Sequence, residues 1–403
     1  MALTLLSHEI SDLCIGKPPL RCLSAATATV ADAIAALKSS DEPFLSVWSC
    51  NNHNDTDDKC ECLGKICMAD VICYLSKFDK NILSLSSAFD ASVSLLLPPK
   101  SPHLVVHVQS SCKLIEAIDL IIRGAQNLIV PIETRSITKR RQQQQQQRNV
   151  VVSLTTNTTT THKNNKQFCW ITQEDIIRFL LDSINVFSPL PSLSISDLGV
   201  INSTHTLLAV DYHSSAASAV PAITRAISDN ISVAVVESGC DVEDTRVALI
   251  GEISPMTLAC CDETAAAAVA TLSAGDLMSY IDGSGPPESL VRVVRNRLED
   301  KAMMGLISLV DSLSGSSSSD EESSGRMRTV SSYGRSVSSA ARMARKSVAI
   351  VCNKKSSLMA VMIQAIAHRV SYVWVIDEDG CLVGLVTFVD ILKLFRNSLN
   401  DVK

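Results

Sequence analysis

The 403-residue sequence has no apolar run close to the about 18 residues that a membrane-spanning helix needs, so none is expected. Its start, "MALTLLSHEISDLCIGKPPLRC", holds Glu9 and Asp12 and no early lysine or arginine, which fits neither a secretory signal nor a transit peptide. A cytoplasmic location with nuclear access is the expectation. Aromatic residues make up only 4% of the chain, and aliphatic residues take their place, which favours α/β packing over an aromatic-rich binding surface. The net charge of -6 gives no footprint for nucleic acid. There is no G-x-S-x-G, no P-loop and no H-E-x-x-H, and the acids that recur stand without a repeated base or nucleophile; no enzyme is expected. Cys50, His53, Cys60 and Cys62 lie close together, but their spacing fits no compact zinc frame, so no metal site is expected either.

What is present is a period. The C-terminal stretch runs from strand "VAIV" (348–351) through helix "SLMAVMIQAIAHR" (357–369) to strands "YVWVI" (372–376) and "LVGLV" (382–386). Thr387-x-x-Asp390 follows, then the helix "VDILKLF". The same β-α-β-β-α order occurs three times upstream. In the second copy the motif is Thr172-x-x-Asp175, in "FCWITQEDIIRFLL". In the first it is Cys67-x-x-Asp70, and in the third Ser254-Pro-Met-Thr257, where the acid is missing. Gly64, Gly251 and Gly384 each stand three residues ahead of the Cys, Ser or Thr of their copy. Taken alone, [ST]-x-x-[DE] before an apolar run is a capping box: the hydroxyl and the acid satisfy backbone N–H groups at a helix start.

The whole series "SLMAVMIQAI…YVWVIDEDGCLVGLVTFVDIL" resembles the cystathionine-β-synthase (CBS) domain, and the layout is similar to the plant CBS-domain-containing proteins. More distantly it resembles the γ regulatory subunits of AMP-activated and SNF1-related kinases. The resemblance implies an α/β fold of four CBS repeats, at about 10–80, 92–187, 194–281 and 345–398. These would pair into two Bateman modules, 1–190 and 191–403. It also implies that the acid of the motif accepts hydrogen bonds from a ribose diol, while the Thr or Ser helps hold ribose or phosphate. The candidates are Thr172 with Asp175 and Thr387 with Asp390, with Asp70 and Ser254 as weaker ones. His368-Arg369 resembles the cation pair of the γ subunits but falls about three residues early, where Ser371 and Tyr372 take the matching register. The ligand would be AMP, ADP, ATP or S-adenosylmethionine, none of them obligatory. The implied activity is non-catalytic regulation of a protein partner, a kinase or a redox enzyme, with a homodimer left open. The rival reading is a scaffold whose sites have decayed to helix caps.

Three segments depart from a minimal CBS pair. Residues 139–167 ("KRRQQQQQQRNVVVSLTTNTTTTHKNNK") are polar and low in complexity, an insert expected to be disordered. Residues 262–313 read as a helical insert, with Val291, Val294, Leu298 and Met303 on or near one face; it either caps the module or offers a partner-binding helix. Residues 314–347 are Ser-rich, a linker in which Ser318, Ser319 and Ser331 are candidate phosphorylation sites beside acids and arginines.

Overall fold

The computed structural model describes residues 7–40, 42–50, 60–77, 85–98, 104–132, 158–160, 162, 166–203, 207–238, 246–282, 286–314 and 348–400. The Ser-rich linker with Ser318, Ser319 and Ser331, most of the 139–167 insert, and His53 lie outside these residues.

The four copies share one topology. In each, a short first strand lies parallel to a second strand, and the second is antiparallel to a third. Parallel strands need a crossover, and a helix supplies it. Copy 1 consists of β1 (Cys22–Ser24), helix Val30–Lys38, β2 (Phe44–Cys50) and β3 (Cys60–Cys67). Copy 2 consists of β4 (Val105–His107), helix Leu114–Ile122, β5 (Asn127–Ile132) and β6 (Gln167–Thr172). Before copy 3 comes a two-residue strand, β7 (Asn202–Ser203). Copy 3 itself has β8 (Ala209–Asp211), helix Ala216–Asp229, β9 (Val233–Ser238) and β10 (Val247–Ile253). Copy 4 has β11 (Val351–Asn353), helix Leu358–Ala367, β12 (Tyr372–Ile376) and β13 (Leu382–Thr387). The first strand of copy 4 begins a few residues later than the sequence predicts.

The glycines that recur in the motif mark a shared irregularity. Val47 pairs with Gly64 and Trp48 with Cys62, so Leu63 is skipped. The pairing skips Ile250 beside Gly251 and Val383 beside Gly384 in the same way. Each skip is a one-residue bulge that turns the strand just ahead of the helix. Copy 2 has Cys169 at the glycine position, and β5–β6 pair without a shift.

Segments ahead of each odd-numbered copy cross to the next copy. β7 pairs antiparallel with β13, Gly384 opposite Ser203. A Cβ on Gly384 would overlap the Asn202 carbonyl oxygen, so this approach requires glycine. In the first half, the Leu20 N–H donates to the Phe168 carbonyl at 2.8 Å, and Cys22 bridges Thr159. A small apolar cluster of Leu20, Cys22, Trp48, Cys62 and Ile129 joins the sheets of copies 1 and 2. Copies 3 and 4 are joined through a carboxylate. Glu252, 1% exposed, accepts from the Tyr372 hydroxyl at 2.9 and 3.0 Å and from the Trp374 indole N–H at 2.7 Å. No sequence pattern points to this bridge.

The helices pair the other way. One apolar core gathers those of copies 1 and 3, and another gathers those of copies 2 and 4. Across the second, Arg396 forms an ion pair with Asp119 at 2.7 Å. The 262–313 insert belongs to the first core. The Ala-rich stretch splits into helices Ala265–Thr271 and Ala274–Tyr280, the second capped by the Ser273 hydroxyl. The longer stretch splits into Glu288–Asp300 and Met304–Ser314, with Ala302 in the left-handed region at φ 53° between them. Val294 (3% exposed) and Leu298 (0%) are buried in this core, and Val291 and Met303 pack against it. Of the two readings of this apolar face, the structure shows the first: it caps the module, covered by the protein's own helices.

Candidate functional site

The motif residues sit where β3, β6, β10 and β13 end and a helix begins. In copies 2 and 4 the strand's last residue, a threonine, is the helix N-cap, so the turn places a hydroxyl and, one helical turn on, an acid beside exposed backbone N–H groups. At Thr172 the capping box is complete. Asp175 Oδ2 accepts from the Thr172 N–H at 2.7 Å and from its hydroxyl at 2.8 Å, and the Asp175 N–H donates to Thr172 Oγ1 at 3.3 Å. At Thr387 the arrangement repeats: Asp390 Oδ2 accepts from the Thr387 N–H at 3.2 Å and from its hydroxyl at 2.5 Å, and the Asp390 N–H returns the bond at 3.3 Å. The cap and the candidate ligand site are thus the same atoms.

Each acid also holds a partner from the crossing segment. The Lys17 ammonium lies 2.8 Å from Asp175 Oδ1, in a pair whose side chains are 25% and 22% exposed. The Asn202 amide donates to Asp390 Oδ2 at 2.5 Å. Among the described residues, Asp390 Oδ1 faces only the Lys393 ammonium, at 3.7 Å, and the Asp390 side chain is 13% exposed. Lys17 and Asn202 both stand shortly ahead of the first strand of an odd-numbered copy. Neither belongs to a motif that the sequence reveals.

The other two copies have closed sites. Asp70 is buried, and its carboxylate accepts from the Cys67 N–H at 2.8 Å. Burial pushes the Asp70 carboxyl up to about 6, against the stabilising hydrogen bonds from Cys67. In copy 3, Ser254 caps a short helix by accepting from the Met256 N–H at 3.3 Å, with Pro255 next to it. Ser254 and Thr257 are each 2% exposed, and the Thr257 hydroxyl has no partner among the described residues.

His368-Arg369 is a helix terminator. His368 is the C-cap of Leu358–Ala367, and Arg369 holds φ at 54°, the left-handed turn that Asn230 and Gly124 supply after the matching helices. Both residues are exposed. At the register where γ subunits carry cations, the Ser371 hydroxyl donates to the Asn230 carbonyl and Tyr372 donates to Glu252. That place supplies no cation for a phosphate.

The cysteines near the 51–59 loop divide. The Cys62 thiol is buried and turned to the Gly64 carbonyl at 3.4 Å. Cys50 and Cys60 lie opposite each other in the β2–β3 ladder, and His162 joins them from the returning limb of the 139–167 insert. Sulfur and imidazole donors of these three lie within 4.8 Å of one another. The separation in sequence hid His162 from any spacing rule.

Comparison with known proteins agrees with this geometry. The CBS domain profile matches residues 341–397, the fourth copy. The chain is 65% identical over 404 residues to CBS domain-containing protein CBSX5 of Arabidopsis thaliana, spanning 100% of both chains. It is 28% identical to CBS domain-containing protein CBSX6 of the same plant, over 97% of this chain and 94% of that one. Among solved structures, protein MJ1225 of Methanocaldococcus jannaschii, named as a putative archaeal homologue of γ-AMPK, matches 96% of this chain and 100% of its own. Its TM-score is 0.51 at 14% identity, a likeness of fold. Four β-α-β-β units with capped third strands, and full-length identity to such a relative, make this chain a member of the CBS domain-containing protein family.

Proposed function

We propose that the chain is a non-catalytic regulatory protein that takes the ribose of an adenosine-containing nucleotide at Thr172/Asp175 and at Thr387/Asp390. The observation that carries the reading is the division of labour in each carboxylate. Oδ2 builds the helix cap, while Oδ1 points to a lysine that a ligand can displace: Lys17 at 2.8 Å, Lys393 at 3.7 Å. A ribose diol needs such an outward acceptor, and a lysine beside it would meet a phosphate. AMP, ADP, ATP and S-adenosylmethionine all carry that diol. Binding would shift the population of the crossing segments that hold Lys17 and Asn202, and so alter an outer surface read by a protein partner. The γ-AMPK homologue of like fold makes a kinase the first partner to test, and a redox enzyme the second.

The test is calorimetric titration of the purified chain with each of the four nucleotides. The expected stoichiometry is no more than two, because copies 1 and 3 have closed sites. Asp390→Asn keeps one acceptor for the cap and loses the charge, so it should weaken binding by about 10-fold or more, in line with about 1.5–3 kcal/mol for a hydrogen bond to a charged group. Its melting temperature should stay close to that of wild type. If no nucleotide binds, or if Asp390→Asn binds as wild type does, the motif is a cap alone and the scaffold reading replaces this one.

A further inference from the structure

We propose that Cys50, Cys60 and His162 form a thiolate–imidazole site for a zinc-class divalent ion, binding one ion per chain. The ladder puts Cys50 directly opposite Cys60, so both side chains leave the same face of the β2–β3 hairpin. His162 reaches them because the limb before it is stitched to β1: the Cys22 and Thr159 backbones exchange hydrogen bonds at 2.8 and 3.0 Å, and the Arg21 guanidinium donates to Thr158 Oγ1 at 3.2 Å. The ring is then held by packing. Its centroid lies 4.1 Å from that of Trp48 and 5.2 Å from that of Phe168. In that pose Nδ1 faces Cys50 Sγ at 3.9 Å, and Nε2 faces Cys22 Sγ at 3.4 Å. One nitrogen is thus directed to the thiol pair, and the other has a partner that orients the ring, as in ligating histidines generally.

The chemistry fits zinc better than a hard cation. Two sulfurs and one imidazole nitrogen are the donors a borderline-soft ion takes, and no carboxylate is among them. Zn–S near 2.3 Å and Zn–N near 2.0–2.1 Å set tetrahedral ligand atoms about 3.5–3.8 Å apart. The three atoms here lie within 4.8 Å, and Cys50 is exposed, so rotation of its side chain brings them to that spacing. On binding, the two thiols release two protons to solvent, and the neutral imidazole gives its Nδ1 lone pair. Two thiolates then balance the charge of the ion, and the fourth position is left to water or to a ligand from outside. The ion would tie the hairpin of copy 1 to the insert of copy 2, adding to the apolar cluster and the backbone hydrogen bonds that already join the two repeats.

The experiment uses the full reduced chain with cobalt(II) and zinc(II) as probes. Cobalt should give one equivalent of a species with thiolate-to-metal charge-transfer absorption and intense tetrahedral visible bands, and zinc should abolish both. Zinc should also raise the melting temperature, because it binds the folded chain. The Cys50→Ser/Cys60→Ser double variant and His162→Ala should each lose the one-equivalent species, while Cys112→Ser, in the turn before the helix Leu114–Ile122, should keep it. Cys22→Ser should weaken cobalt binding by about 10–100-fold without removing the bands. Absence of charge-transfer absorption in the folded wild-type chain overturns the proposal. So does an unchanged spectrum in the double variant, whose folding is checked by circular dichroism.

Discussion

The Asp175 and Asp390 sites have the same cap but different occupants. Both carboxylates give Oδ2 to a threonine one turn back, with near-matching geometry. Asp175 then meets an ammonium, Lys17, on its other oxygen. Asp390 meets a neutral amide, Asn202, on the oxygen that already serves the cap, and keeps Oδ1 turned to Lys393 at 3.7 Å. The cap is local and follows from spacing; the occupant comes from a segment that crosses between repeats. On the proposed reading, one device is set to two affinities by one residue in that segment, without changing the motif.

The comparison sharpens when the closed sites are added. Asp70 has the acid and the cap but lies in the apolar core. Its folded-state value of about 6 stands above the 3.8 of an exposed aspartate, so ionisation favours the unfolded chain. That cost is absent below about pH 4, grows between about pH 4 and 6, and is constant above. Asp70→Asn should accordingly stabilise the protein at pH 8 by about 2–3 kcal/mol, because each tenfold difference in proton affinity between folded and unfolded chain corresponds to about 1.36 kcal/mol. At pH 4 it should have little effect. Urea unfolding at both values checks this, and an equal effect at the two would mean that Asp70 is better solvated than its burial implies.

Next in size is Gly384→Ala. The added methyl would strike the Asn202 backbone, which pairs with β13 at that point. Forcing a methyl into such a contact costs about 1–3 kcal/mol. The damage should be one-sided, because the matching residue of copy 2, Cys169, already carries a Cβ and β6 runs without a bulge. Displacing β7 also takes the Asn202 amide from Asp390. The variant should therefore melt earlier while Asp390 becomes more accessible to ligand and Asp175 does not change. An unchanged melting temperature would show that β7 is not held against Gly384 in solution.

These differences explain what the sequence made legible. Period-two strands, helical faces and the recurring Thr-x-x-Asp rest on short-range geometry, so the four units and both caps could be read directly. The bulges left a trace in Gly64, Gly251 and Gly384, although only pairing shows that each glycine follows a skipped residue. The occupants were not legible, because Lys17 and Asp175 are 158 residues apart and Asn202 and Asp390 are 188 apart. His162 was hidden inside a polar insert, and nothing in "LIGEI" marks Glu252 as the acid that the sheets of copies 3 and 4 close over. The two readings of the 288–313 stretch, a cap on the module or a partner-binding helix, could not be separated for the same reason: an apolar stripe tells that something covers it, and here the cover is the protein's own Ala-rich helix.

The smallest effect separates the two open sites most directly. Lys17 and Asp175 are each about a quarter exposed, so their pair contributes at most about 1 kcal/mol to stability. Lys17→Met should barely move the melting temperature. It should nonetheless change binding, because an uncharged nucleoside such as adenosine must displace the ammonium to reach Asp175 Oδ1. Raising ionic strength from about 0.05 to 0.5 M shortens the screening length to well under about 10 Å and weakens that competitor. Adenosine affinity at Asp175, measured in the Asp390→Asn background, should therefore rise with salt, and Lys17→Met should raise it at low salt and flatten the slope. At Asp390, measured in the Asp175→Asn background, the Asn202 amide is neutral and Lys393 is more distant, so the slope should be near zero. AMP should reverse the sign at Asp175, since the same ammonium attracts its phosphate. Equal salt slopes at the two sites for adenosine would show that the crossing segments do not control access, and the carboxylates would then differ only in name.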